Sequence, residues 1–356
     1  MTVSTKINAG RFFEDFTLNE VIQHAAPRTV TAGDCALYIA LTGSRNPLHC
    51  SEPFAQSLGY KTTPIDDLLS FHIAFGKTVP DISVNAVANL GYADVRFVQP
   101  VFAGETLSTS SQVIGLKQNS NGKSGVVYVR STSVNQRNEP VLSWVRWVMV
   151  HKNNMSGLAP ETVIPELPGL VAPKNLNIPA NFSAKNFNNK ATGGQYFWED
   201  YQAGERIHHA AGMTINHGDH SLATRLYQNN ARLHFDDFAM QSSSFGKRLV
   251  YGGVPISICR ALSFDGLENA ISILAINAGT HANPSFAGDT IYALTEVLDV
   301  WALPDRTDIG ALRLRMAGIK NMPVSELAQI KSEKGYHPNV VLDLDYTVLM
   351  PRKGSN

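Results

Sequence analysis

Two short segments of the sequence place a histidine five residues after a small polar side chain. The first runs from Ser44 to His49, and the second runs from Asn229 to His234 and on to Asp236. A neutral imidazole is the side chain best suited to take a proton from water and return it near neutral pH. Asparagine can hold a water molecule through its amide, whereas neither asparagine nor serine can accept the proton. A histidine in sequence this apolar is more often a hydrogen-bonded core residue than a catalyst, so the two segments are candidates for acid–base chemistry that residue type and spacing alone do not assign.

The two histidines are 185 residues apart, and the residues around them keep the same offset. The matching pairs are Thr29 and Thr214, Gly33 and Gly218, Asp34 and Asp219, Leu48 and Leu233, and Gln56 and Gln241. Further along, Pro100 to Thr106 matches Pro284 to Thr290 at an offset of 184. A period this long indicates duplicated domains and not a short-repeat array. We expect a first repeat over residues 1–150, a linker rich in Asn, Pro and Gly over 151–193, and a second repeat over 194–356.

Each repeat contains one strongly apolar segment followed by segments of strand character. Residues 64–75 and 249–259 are apolar nearly all round, which predicts buried helices, the first with Pro64 in its opening turn. Alternating, β-branched segments then predict strands over 92–98, 106–114, 126–134, 141–150, 272–277, 290–300, 311–319 and 340–350. The pattern predicts an α+β protein in which each repeat wraps a long helix in an antiparallel sheet.

The composition excludes several classes of protein. Hydrophobic residues make up 44% of the 356 residues and charged residues 17%, as in a well-buried globular protein. Thirty basic residues balance thirty acidic ones, so neither nucleic acid nor a membrane surface is an expected partner. No apolar run is long enough to span a bilayer, and the N-terminus lacks a signal core. Together with only three cysteines, these features predict a cytoplasmic protein without disulfides.

The sequence predicts neither a metal nor an organic cofactor. His208, His209, His217 and His220 are close in sequence, but no cysteine or distant histidine completes a plausible ligand set. No glycine-rich loop matches a nucleotide-binding signature, so neither NAD nor ATP is expected.

The segment from Gly43 to His49, continued by Phe54-Ala55, Gly59-Tyr60 and Pro64-Ile65, resembles the signature of the MaoC-like (R)-specific enoyl-CoA hydratases. The resemblance covers nearly the whole chain outside the linker and residues 320–338. It implies a double hotdog fold and a hydro-lyase that acts on a CoA thioester, with two copies of the chain forming a homodimer.

Four further segments are most similar to family members that hydrate a branched, carboxylated enoyl-CoA. They are residues 41–45, 66–69, 224–229 and 262–270. This similarity implies hydration of mesaconyl-CoA (2-methylfumaryl-CoA) to β-methylmalyl-CoA.

In this family an Asp and a His five residues later supply the base that activates water and the acid that protonates the α carbon. A glycine N–H at the start of the buried helix holds the thioester oxygen. The first repeat has Ser44 in place of the Asp and Leu68 in place of the glycine. The second repeat has Asn229, His234 and Gly253 at the three positions. The resemblance therefore implies that the second repeat holds the active site, and His49 is the catalytic alternative in the first.

A substrate carboxylate calls for a cation, and a guanidinium can hold one with two parallel hydrogen bonds. We expect Arg232 in this role, with Arg225 and Arg260 as rivals. The candidates for substrate contact are Arg232, Arg225, Tyr251, Asn46 and Asp67. His72 and His281, which lie in apolar sequence, are expected to be hydrogen-bonded core residues.

Three other functions remain open at this stage. A hotdog acyl-CoA thioesterase would need an acid on the long helix, where Asp66 and Asp67 are available, and these two could also supply the carboxylate that Ser44 lacks. A non-catalytic acyl-CoA-binding protein would fit the absence of the family Asp from both repeats. A (3R)-hydroxyacyl-thioester dehydratase of the fatty-acid type would need no arginine for a carboxylate.

Overall fold

A computed structural model describes residues 6–155, 157 and 159–354 of the chain. Its α-helices are α1 (Ala32–Thr42), α2 (Pro47–Cys50), α3 (Glu52–Ser57), α4 (Asp67–Ile82), α5 (Asn189–Thr192), α6 (His217–Leu226), α7 (Arg232–Phe235), α8 (Asp237–Met240) and α9 (Gly253–Leu262). Its strands are β1 (Val21–Gln23), β2 (Arg28–Thr29), β3 (Ala86–Phe97), β4 (Thr106–Gln118), β5 (Ser124–Val134), β6 (Pro140–His151), β7 (Arg206–Thr214), β8 (Ile273–Thr280), β9 (Thr290–Ala302), β10 (Ile309–Lys320), β11 (Lys331–Ser332), β12 (Gly335–Tyr336) and β13 (Val340–Pro351).

The two predicted buried helices are α4 and α9. Helix α4 begins at Asp67 and not, as predicted, near Pro64. The carboxylate of Asp66 caps it by accepting the N–H of Leu68 at 2.9 Å. Pro64 instead pairs with Phe102 in an isolated bridge. Within the described part of the chain, no helix combines the length and apolar character needed to cross a membrane.

The long strands join the two repeats into one antiparallel sheet with the order β1-β4-β5-β6-β3-β8-β13-β10-β9-β7. All eight predicted strands are confirmed, although β3 begins at Ala86, six residues before the predicted start. The two halves of the sheet meet where Tyr92 on β3 lies opposite Gly279 on β8. The order is therefore symmetric about this central pairing.

Helices α4 and α9 belong to a single hydrophobic core that includes residues of both repeats. His72 on α4 donates to or accepts from the hydroxyl of Ser257 on α9 at 3.0 Å, and these residues occupy equivalent positions 185 residues apart. The helices therefore meet at equivalent positions. As a result, the second half of each helix lies close to the start of the other.

Candidate active site

A cavity of about 260 Å³ lies beside the start of α9 in the second repeat. His234 and Asn229 line it from the second repeat, and Phe75 and Ser83 line it from α4 and the residue after it. Most of the lining is apolar. A cavity of this size is smaller than the roughly 300–1,000 Å³ typical of sites for drug-sized ligands, and it therefore suits a short acyl group.

His234 lies on the short helix α7 and is oriented by its own backbone surroundings. Its Nδ1 lies 2.8 Å from the carbonyl oxygen of Leu249. Because a carbonyl only accepts, Nδ1 carries the proton and Nε2 holds a lone pair. Burial lowers the pKa of His234 to about 4, so the ring is neutral at pH 7. Nε2, which has no hydrogen-bond partner among the described residues, can therefore act as a base.

Asn229 is buried beside His234. Its Oδ1 accepts the N–H of Ala231 at 3.1 Å, which fixes the orientation of the amide. Its Nδ2 has no partner within the parts of the chain that the structure describes. The amide nitrogen therefore remains free to donate a hydrogen bond to a water molecule in the cavity.

The start of α9 brings backbone N–H groups to the same region. Gly252 lines the cavity, and Gly253 is the first residue of the helix. A Cβ atom at Gly253 would lie 2.3 Å from Cε1 of Tyr251 and 2.7 Å from the ring of His72. Both neighbours are ring atoms held in the core, so only glycine fits. The first N–H groups of a helix lack intrahelical partners and lie at its positive end, where they can stabilise an oxyanion.

Tyr251, predicted as a substrate contact, also lines the cavity, and its ring packs edge-on against His234 with centroids 5.6 Å apart. Of the residues predicted for catalysis and substrate contact in the second repeat, His234, Asn229 and Tyr251 therefore line the cavity, and Gly253 directly follows the lining residue Gly252.

Both predicted arginines lie elsewhere. Arg232 and Arg225 are exposed and do not line the cavity, and Nε of Arg225 donates to the carbonyl of Ser221 at 3.2 Å. The rival Arg260 lies in the first-repeat site described next.

The equivalent site in the first repeat is nearly filled. His49 has the same orientation as His234, with Nδ1 3.2 Å from the carbonyl of Pro64, but the void beside it measures only about 10 Å³. Asn46 donates to the carbonyl of Ile271 at 2.7 Å. Asp67 accepts the N–H of Ile273 at 2.7 Å, and burial raises the pKa of Asp67 to about 6. Asn46 and Asp67 thus lie beside His49 and not in the cavity of His234.

Among the lining residues that were missed as site residues, three are notable for their contacts or charge. Tyr92 and His281 form a hydrogen-bonded pair, with the phenol oxygen 2.8 Å from Nε2. His281 has the partner expected of a core histidine, yet it faces the cavity. The third is the fully buried Arg146. Its position in β6 was a usable signal, because it alternates in phase with the apolar Trp144 and Val148.

Comparisons with known proteins agree with this architecture. The family profile described as "MaoC like domain" matches residues 15–135. The chain is 57% identical to the β-methylmalyl-CoA dehydratase of Chloroflexus aurantiacus over 99% of this chain and 100% of that protein. It is 52% identical to the mesaconyl-CoA hydratase of Cereibacter sphaeroides over 98% of this chain and 100% of that protein.

Solved structures give the same result. A MaoC domain protein dehydratase from Chloroflexus aurantiacus superposes with a TM-score of 0.96 at 57% identity, covering 99% of this chain and 100% of that chain. A Mycobacterium tuberculosis protein with a double hotdog fold superposes with a TM-score of 0.76 at 25% identity, covering 96% and 98% of the two chains. The predicted double hotdog fold and the predicted family resemblance are therefore confirmed.

Proposed function

Because this chain belongs to the MaoC-like family that includes β-methylmalyl-CoA dehydratase and mesaconyl-CoA hydratase, we propose that it is a hydro-lyase that reversibly hydrates mesaconyl-CoA to β-methylmalyl-CoA. The observation that carries the proposal is the cavity of the second repeat. There, His234, Asn229 and the glycine start of α9 provide a base, a water-holding amide and backbone donors in one place.

The reaction requires a hydroxyl group at the β carbon and a proton at the α carbon. Nδ2 of Asn229 donates a hydrogen bond to a water molecule, and that water donates one to Nε2 of His234. As the water oxygen bonds to the β carbon, its proton passes to Nε2. The π electrons of the double bond move toward the thioester, whose oxygen gains negative charge.

The backbone donors at Gly252 and Gly253 are suited to stabilise that charge, since they lie at the positive end of α9. The imidazolium formed on His234 is then the acid that returns a proton to the α carbon. One histidine acts first as base and then as acid, so the missing family Asp is not needed for proton transfer. In the reverse direction the same groups remove water.

The buried surroundings of His234 support this role. Burial favours the neutral imidazole, which is the form that accepts the proton of water. The first repeat contributes walls of the cavity through α4 and β6 but leaves the chemistry to the second repeat. The cytoplasmic location and the homodimer expected from the sequence remain predictions, and light scattering on the purified protein tests the dimer.

The first test follows the absorbance of the enoyl thioester on purified protein with mesaconyl-CoA and with crotonyl-CoA. Loss of absorbance with mesaconyl-CoA, together with formation of β-methylmalyl-CoA by mass spectrometry, supports the proposal. Loss with crotonyl-CoA alone would replace it with a dehydratase of the fatty-acid type. Release of free CoA, detected with a thiol reagent, would indicate a thioesterase, and binding without turnover would indicate an acyl-CoA-binding protein.

A further inference from the structure

The cavity beside His234 has an unusual charge distribution. Of the described residues that line it, Arg146 alone carries a formal charge at neutral pH, and no Asp, Glu or Lys is among them. Arg146 lies on β6 of the first repeat and is fully buried, with 0% of its surface exposed. Burying a cation lowers the stability of the folded protein unless an anion or several hydrogen-bond acceptors compensate for the lost hydration.

The protein supplies only part of that compensation. One terminal guanidinium nitrogen of Arg146 donates to the hydroxyl of Thr78 at 2.9 Å, and both terminal nitrogens lie 3.4 Å from the hydroxyl of Ser83. Nε has no hydrogen-bond partner, and no carboxylate lies within ion-pair distance in the described parts of the chain. The carboxylate of Asp81, on the last turn of α4, is bonded to His24 at 2.8 Å.

Other neighbours of Arg146 are aromatic. The guanidinium carbon lies 4.3 Å from the centre of the Phe75 ring, which gives a partial cation–π contact. Burial lowers the pKa of Arg146 only to about 10, so the side chain stays protonated at pH 7. The cavity wall therefore carries a permanent positive charge for which none of the described residues provides a counter-ion.

The duplicated fold provides an internal reference for this position. Arg146 lies opposite Tyr92 in the pairing of β6 with β3, and Tyr346 lies opposite Ile276 in the pairing of β13 with β8. Tyr92 and Ile276 are related by the 184-residue offset of the strands, so Tyr346 is the counterpart of Arg146. The charge is present only on the side of the molecule where the cavity is open.

We propose that Arg146 is the counter-ion for the carboxylate of the substrate and that it selects mesaconyl-CoA over enoyl-CoA thioesters whose acyl group is uncharged. The inference rests on the proposed function. In mesaconyl-CoA the carboxylate is bonded to the β carbon, at the end of the acyl group furthest from CoA, so it enters the cavity first.

Ser83 connects the charge to the cavity. Its hydroxyl contacts the guanidinium of Arg146, and both residues line the cavity, so the hydroxyl and the charge lie side by side in the cavity wall. Asn89 also lines the cavity, and both polar atoms of its amide are buried without partners. These three polar side chains of the cavity lining are suited to a carboxylate, and the mostly apolar remainder of the lining is suited to the methyl branch of the substrate.

The test compares two substrates that differ only in the charged group. In 2-methylcrotonyl-CoA a methyl group replaces the carboxylate of mesaconyl-CoA. For Arg146→Met we expect kcat/KM for mesaconyl-CoA to fall about 100-fold, equivalent to about 2.7 kcal/mol. We expect the value for 2-methylcrotonyl-CoA to stay within about threefold. Arg146→Lys keeps the charge but loses the planar guanidinium group. Its kcat/KM for mesaconyl-CoA should lie between the values of wild type and Arg146→Met.

Arg232→Met serves as the matched control, because it removes the exposed arginine that the sequence favoured for this role. It should leave the ratio of the two kcat/KM values unchanged. Thermal unfolding of each variant confirms that the protein is folded at the assay temperature.

The outcomes separate the two proposals. Suppose that wild-type protein hydrates mesaconyl-CoA, but that Arg146→Met lowers kcat/KM equally for both substrates or for neither. Arg146 is then not the counter-ion, and the proposed function stands. The same conclusion follows if Arg232→Met, and not Arg146→Met, changes the ratio of the two kcat/KM values. If wild-type protein hydrates 2-methylcrotonyl-CoA but not mesaconyl-CoA, both proposals are wrong.

Discussion

The sites at His234 and His49 are built from equivalent elements, yet one encloses about 260 Å³ and the other about 10 Å³. The backbone does not account for the difference, because both histidines are oriented by a carbonyl 15 residues further along the chain. The side chains at the start of the long helix do. Gly252 and Gly253 in the second repeat correspond to Asp67 and Leu68 in the first, where the larger side chain of Asp67 lines the small remaining void.

The long helices extend the comparison because each reaches the other repeat's site. Phe75 on α4 packs over the open site, and its counterpart Arg260 on α9 lies over the closed one. By our proposal the first repeat leaves the chemistry to the second and provides walls and a counter-ion for the cavity of its neighbour. Duplication allows this division because each site draws on both repeats.

The largest expected effect comes from removing each histidine in turn. His234→Ala should lower kcat for mesaconyl-CoA hydration by about a thousandfold, since it removes the general base and the acid that returns the proton. His49→Ala should stay within about threefold of wild type. The rate of loss of enoyl-thioester absorbance measures both. If His49→Ala is inactive and His234→Ala keeps the activity of wild type, the chemistry belongs to the first repeat and not to the second.

The next effect concerns the start of the long helix. Gly253→Ala should lower kcat about 100-fold, because its Cβ would push against Tyr251 and His72 and displace the backbone donors. Leu68→Ala, the matched change in the first repeat, should cost about 2–5 kcal/mol of stability by leaving a cavity in the core. It should leave kcat nearly unchanged.

Chemical denaturation and steady-state kinetics on both variants separate the two effects. If Gly253→Ala changes only stability, the start of α9 does not hold the developing charge.

A smaller effect is expected at the water-holding position. Asn229→Ala should lower kcat about tenfold, because the amide positions water without accepting its proton. Ser44→Ala, at the equivalent position of the closed site, should have no measurable effect on kcat. The ratio of kcat in H2O to kcat in D2O, measured for Asn229→Ala and wild type, adds a readout of proton transfer. Full activity of Asn229→Ala would remove the amide from the mechanism.

The sequence alone was sufficient to predict most of the fold. The offset of 185 residues predicted two equivalent halves, and alternation of β-branched residues predicted all eight long strands. The start of α4 was predicted too early because Pro64 resembles a first-turn proline, whereas the carboxylate of Asp66 provides the cap. The division at residues 150 and 194 stays a prediction.

The candidate site was only partly predictable. His234 and Asn229 lie within one short segment, so their proximity follows from the sequence. Arg146, Tyr92 and His281 come from strands that reach the cavity only through the pairing of β3 with β8, which no local pattern reveals. Arg232 was favoured for its closeness to His234 in sequence, but on α7 the two side chains point to different surroundings, one exposed and one buried.

The last expected effect changes stability and not activity, and it tests why the first site is closed. The buried Asp67 has a pKa raised to about 6, chiefly by desolvation, against 3.8 as the ordinary value. Between these values the folded protein binds a proton that the unfolded chain has released. The free energy of unfolding therefore falls as pH rises from about 4 to above 6. Asp67→Asn lacks this decline and should be more stable than wild type at pH 7 by at most about 3 kcal/mol.

Urea denaturation at pH 4, 5, 6 and 7 measures this difference, with Asp66→Asn as the control because asparagine caps a helix as well as aspartate does. The control should still lose stability as the pH rises through the pKa of Asp67, but over a narrower range, because the charge of Asp66 helps to raise that pKa after desolvation. Both variants should keep the hydratase activity of wild type. If Asp67→Asn is less stable than wild type at pH 7, the ionised carboxylate stabilises the closed site through the N–H of Ile273. The buried carboxylate of Asp67 would then raise the free energy of unfolding at pH 7 and not lower it.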